Sequence, residues 1–60
     1  MYERTSKNGT TYRIAGVFDT DNGRMALIER NQAHAKDDWF LLVGAWSVDE
    51  AKAKIDSFTA

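Results

Sequence analysis

Apolar and polar positions divide this chain into extended stretches followed by one helical stretch. Residues 11–19 and 24–31 mix β-branched, aromatic and polar side chains, and both read as strands. Residues 2–7 carry a shorter version of the same pattern, which predicts a further N-terminal strand. Trp39-Phe40-Leu41-Leu42-Val43-Gly44-Ala45-Trp46 is a nearly continuous apolar run between polar flanks, the mark of a strand that is apolar on both faces. Between these last two strands, residues 31–38 are polar and predict a loop. Ser47-Val48-Asp49-Glu50 then matches the capping box S-x-x-E, with two acids at the positive end of the helix dipole. Val48, Ala51, Ile55 and Phe58 recur at helical spacing and carry the helix to residue 58. Glu50 and Lys54 stand one turn apart, as an expected ion pair on the exposed side.

Two Asn-Gly pairs punctuate the strands. Asn8-Gly9 and Asn22-Gly23 each predict a two-residue type I′ hairpin, in which both turn residues take positive φ. Such a turn at Asn22-Gly23 pairs Asp21 with Arg24, Thr20 with Met25, Phe18 with Leu27 and Val17 with Ile28. At Asn8-Gly9 it pairs Thr5 with Tyr12 and sets Arg4 against Arg13, a like-charge pair that disfavours this register. The expectation is a single α+β domain over residues 1–60. It is an antiparallel three- or four-stranded β-meander with one C-terminal helix packed on one face.

Alternation along the central hairpin places Tyr12, Ile14, Phe18, Met25 and Leu27 on one face. Arg13, Ala15, Val17, Asp19, Arg24, Ala26, Ile28 and Arg30 fall on the other. The first set, more apolar, is expected to meet the helix. In the last strand Phe40, Leu42, Gly44 and Trp46 oppose Trp39, Leu41, Val43 and Ala45, and either set could turn inward. One helix covers one face only, so an apolar surface with arginines is left over. Exposed apolar patches of this kind mark interaction sites. The expected partner-binding residues are Arg13, Val17, Arg24, Ile28, Arg30, Trp39 and Leu41.

Composition narrows the function classes. A 60-residue domain buries only about 60% of the surface its unfolded chain exposes, so a partner or a second copy adds useful burial. The chain has no Cys, which excludes disulfides and thiolate metal sites. No apolar run approaches the roughly 20 residues of a membrane span, and Met1-Tyr2-Glu3-Arg4 opens no signal-peptide pattern. A cytoplasmic location without membrane contact is the expectation. Net charge is −1, which gives no general basic surface for phosphates.

Candidate chemistry is sparse. Asp19-Thr20-Asp21-Asn22-Gly23 begins like a calcium loop, but Gly23 is fifth and Glu29 eleventh where the motif needs sixth and twelfth. His34, the single histidine, stands near Lys36, Asp37 and Asp38 in the polar loop, without the spacing of a metal site. Ser47 is accounted for by the helix cap, and Ser6 and Ser57 lack a neighbouring base. The expectation is a protein that is not an enzyme and uses no cofactor.

Two resemblances bear on partners. The segment Val43-Gly44-Ala45-Trp46-Ser47-Val48-Asp49-Glu50-Ala51-Lys52 resembles AP2-like DNA-binding domains, including the arm-binding domains of phage-type integrases. Their three-stranded sheet ends in a Gly-x-aromatic step followed by a helix with Glu-Ala, usually one residue further on than here. That resemblance implies a DNA-reading sheet face made by Arg13, Arg24 and Arg30 with Trp39 or Trp46. In style the chain is similar to small phage and mobile-element proteins that bind and block a host protein complex, a fold-level analogy. The leading expectation is therefore a small protein-binding inhibitor or regulator acting through its uncovered sheet face. A homodimer and an AP2-like DNA-binding module are the alternatives.

Overall fold

The computed structural model describes residues 2–31 and 38–60. His34, Lys36, Asp37 and most of the expected loop lie outside the described residues. The chain runs β1 (Glu3–Thr5), β2 (Thr11–Thr20), β3 (Gly23–Asn31), β4 (Trp39–Ala45) and α1 (Val48–Thr59). The strands form one antiparallel sheet in the order β1-β2-β3-β4, and α1 packs across it, touching all four. The meander is thus four-stranded.

Neither hairpin uses the predicted turn, because Asn8 and Asn22 both keep negative φ. In the first, Ser6 N–H donates to Thr10 O at 2.8 Å and Gly9 N–H to Ser6 O at 3.0 Å. A three-residue loop results, and Gly9 at φ 90° takes the left-handed position that ends such loops. The extra loop residue moves the register by one and removes the charge conflict: Arg13 faces Glu3, while Arg4 faces Tyr12. In the second hairpin Thr20 pairs with Gly23 across Asp21-Asn22. Thr20 Oγ1 donates to Gly23 O at 2.6 Å and accepts from Asn22 N–H at 3.2 Å. Phe18 therefore faces Met25 and Val17 faces Ala26, a slip of two from the predicted pairing. A slip of two keeps every side chain on its face, because strand alternation has period two.

A bulge does change the faces. Between Ile14 and Gly16 the β2–β3 register shifts by one residue at Ala15. One extra residue reverses alternation beyond it. Ile14 and Tyr12 consequently share their face with Val17, Ala26 and Ile28, and Phe18, Met25 and Leu27 move to the opposite side. A second irregularity lies opposite Ile28/Glu29, where β4 carries Leu42 as the extra residue. It turns Val43 and Ala45 toward the helix and leaves Trp39 and Leu41 outward.

The interior is small: Ile14, Ala26, Ile28, Ala45, Ala51 and Ile55 are each no more than 2% exposed. Tyr2, Tyr12, Val17 and Val43 pack around them. Half of the buried set is alanine, which lets the helix backbone approach the sheet. The cap forms as the sequence predicts, with Ser47 Oγ accepting from Glu50 N–H at 3.0 Å. Its reciprocal half lands one residue earlier: the Glu50 carboxylate accepts from the N–H of Trp46. The expected Glu50–Lys54 pair does not form, since Lys54 Nζ instead donates to Gly44 O at 3.0 Å. Ser47→Ala is expected to lower unfolding free energy by about 1 kcal/mol. Ala51→Leu, overpacking the contact between helix and sheet, is expected to cost about 1–3 kcal/mol. Urea denaturation measures both, with Ala53→Leu on the exposed helix side as the near-neutral control.

Candidate functional site, the uncovered sheet face

The face away from α1 is organised around Arg13. From β2, its guanidinium lies over the Trp39 ring of β4, 3.7 Å from the centroid. It also meets Glu29 of β3, with Nη2 at 2.9 Å and Nε at 3.0 Å from Oε1. Cross-strand pairing places these groups: Arg13 is opposite Glu29, Glu29 opposite Leu41, and Asn31 opposite Trp39. Both ionic side chains are partly shielded, which strengthens the attraction relative to a fully solvated pair. Arg13 thus joins β2, β3 and β4 in one ordered cluster. The Asn31 amide donates to Asp38 O at 3.3 Å just beside it.

The other half of this face is apolar. Phe18 lies across Gly16, where an added Cβ would come within 3.1 Å of its ring, and Met25 lies across Gly44. Leu27 stands between them on β3. Trp46 follows directly on Ala45, the last residue of β4. Leu41 is 66% exposed, and Phe18 and Trp46 are each 53% exposed. No second layer covers this face among the described residues.

The structure divides the seven expected partner-binding residues. Arg13, Trp39 and Leu41 come together on the uncovered face. Ile28 is fully buried and Val17 packs against the core, so neither belongs there. Arg24 and Arg30 alternate with Ile28 and point to the helix side. Arg24 pairs with Asp19 at 3.0 Å near the hairpin end, with both side chains largely exposed. Arg30 lines an open groove of about 410 Å³ with Tyr12, Leu42, Val43, Lys54 and Phe58. Conversely, the faces expected from alternation missed Phe18, Met25 and Leu27 as members of the outer surface. Gly16, an isolated glycine within a strand pattern, is the signal that could have located the bulge.

On the helix side, Tyr2 donates its phenol proton to the Asp56 carboxylate. That hydrogen bond is the main reason the phenol is held above its ordinary value of 10.0, against the opposing charge of Arg4. Arg4 lies 4.3 Å from the ring centroid. Among the described residues no three His, Cys, Asp or Glu side chains gather where they could hold a metal ion. No described helix is long and apolar enough to cross a membrane.

Comparison with protein-family models, with curated proteins and with solved structures finds no match.

Two expectations follow from this geometry. Arg13→Ala should lower unfolding free energy by about 1 kcal/mol, the scale of a partly exposed cation–π contact. It should also raise acrylamide quenching of Trp39 in a Trp46→Phe background. Tyr2 carries the second. A phenol whose folded pKa is raised adds stability that is complete below the unfolded value and is lost as pH rises through the folded one. The difference in urea midpoint between wild type and Tyr2→Phe should therefore stay level from neutral pH up to about 10.0 and shrink above it. A difference independent of pH would remove the hydrogen bond as its source.

Proposed function

We propose that this chain is a non-enzymatic protein-binding module whose outer sheet face docks on a partner protein. The observation that carries the reading is Arg13, held between Glu29 and Trp39 near the exposed Leu41, with the exposed Phe18 and Trp46 in the apolar half of the same face. Arg and aromatic side chains dominate binding energy at protein interfaces. An arginine already fixed in place loses little conformational freedom on docking. The apolar half of the face supplies the area, and the ionic cluster supplies orientation. A small protein attached in this way acts by occupying its partner's surface, the mode of an inhibitor or regulator of a larger complex in the cytoplasm. Recognition of DNA by an arginine face has less support. Arg24 and Arg30 stand on the helix side, Arg13 is neutralised by Glu29, and the chain carries a net charge of −1.

Site-specific photo-crosslinking in the native cell tests the reading. A benzophenone side chain is placed at Phe18 on the outer face, or at Ala53 on the exposed side of α1. The expected outcome is one discrete adduct from position 18, none from position 53, and competition by excess unmodified chain. An absent adduct at 18, or equal adducts from both positions, would end the proposal.

A further inference from the structure

We infer that β4 is a docking edge for a second copy of this chain, the two β4 strands pairing antiparallel about a two-fold axis. The sheet has two edges, and they differ in kind. β1 is three residues long and carries Glu3 and Arg4, the short, charged form that resists strand addition. β4 is seven residues long, with neither charge nor proline. Among the described residues no segment pairs with its free side. Phe40, Leu41 and Leu42 are consecutive and 54%, 66% and 41% exposed. Consecutive side chains in regular pairing point to opposite faces, so among the described residues Phe40 and Leu41 leave this part of β4 uncovered on both faces as well as along its edge. Among the described residues two features blunt it. The bulge interrupts it at Leu42, and Lys54 holds the Gly44 carbonyl at 3.0 Å. Neither reaches the Trp39–Phe40–Leu41 end, where no described segment lies along the edge.

The free side of a strand presents unpaired N–H and C=O groups, and another extended strand is the occupant that satisfies them. Charge selects a second copy in antiparallel orientation. An uncharged strand meets its own copy without like-charge opposition. Antiparallel pairing carries the Asp38 end of each strand toward the Gly44 end of the other, where Lys54 stands. Parallel pairing would instead bring the two Asp38 carboxylates together. The groove on the helix side borders the same edge through Leu42 and Lys54, and offers apolar walls to Phe40 of the second copy. A two-fold contact of this kind closes on itself and stops at a dimer. It shares Leu41 with the outer face but leaves the Phe18 half of that face free, and joins two four-stranded sheets into one continuous platform.

Sedimentation equilibrium of the purified chain, up to about 1 mM, is the test, because a millimolar dissociation constant bounds weak but specific pairing. The expected result is a concentration-dependent rise toward twice the 6.8 kDa chain mass. Leu41→Lys, which sets two ammonium groups close together across the axis, should sediment as a monomer over the same range. Trp46→Lys, on the outer face away from the free part of the edge, should dimerise like wild type. Circular dichroism establishes that each variant is folded. Should Leu41→Lys not fold, Leu41→Cys replaces it, supplying the only thiol in the chain; mild oxidation should then yield a disulfide-linked dimer, while Ala53→Cys should not. A monomeric wild type, a dimer that survives Leu41→Lys, or crosslinking at position 53 rather than 41 would each overturn the inference. None of these outcomes bears on capture of a partner from position 18.

Discussion

Twelve residues of helix must bury the interior of this protein, and that constraint shapes everything around it. Ala51 and Ile55 are the helix positions fully withdrawn from water, and they close over Ile14, Ala26, Ile28 and Ala45. The three isoleucines supply the burial, each contributing about 1.5–3 kcal/mol relative to exposure. The three alanines supply proximity, since a larger side chain at any of them would lift the helix from the sheet. Ser47 fixes where the helix begins, directly after β4, so the chain turns back over its own last strand. The Tyr2–Asp56 hydrogen bond then ties the later turns of the helix to the residue just before β1.

A core of this size leaves much apolar surface unused. The helix occupies one face, and its stripe runs out at Val48 and Phe58, which stay 36% and 40% exposed. Beyond it remain the outer face, with its Arg13–Glu29–Trp39 cluster, and the edge of β4 that no described segment covers. These surfaces differ in chemistry. The face combines a fixed cation with apolar area, which suits a folded partner. The edge offers backbone groups and uncharged side chains, which suit another strand. For a chain without disulfides both are routes to burial that the domain alone does not achieve.

Much of the topology was legible because local chemistry and the global fold agree. The helix followed from Ser47, Glu50 and the spacing of its stripe, and β2 and β3 from their β-branched and aromatic content. The turns were legible as places but not as types. Asn-Gly is compatible with more than one loop, and a left-handed glycine served in the first hairpin without a left-handed asparagine. The faces were the least legible. A single bulged residue at Ala15 exchanged Val17, Ala26 and Ile28 for Phe18, Met25 and Leu27, although each trio had been grouped correctly. In the candidate site, Arg13, Trp39 and Leu41 were therefore found together while Val17 and Ile28 were misplaced. Arg30 and Arg24 went with them, because alternation carries neighbours two apart to the same side.

The placement of the two faces rests on adjacent residues of β3, and one comparison tests it. Leu27→Lys and Ile28→Lys differ by a single position, and without the bulge the first would enter the core and the second would face water. Denaturation midpoints of the two variants, measured side by side, decide between these arrangements. The structure requires Leu27→Lys to stay folded close to wild-type stability and Ile28→Lys, with a buried charge lacking a partner, to lose cooperative unfolding. A folded Ile28→Lys beside an unfolded Leu27→Lys would reverse the faces and contradict the account at its base.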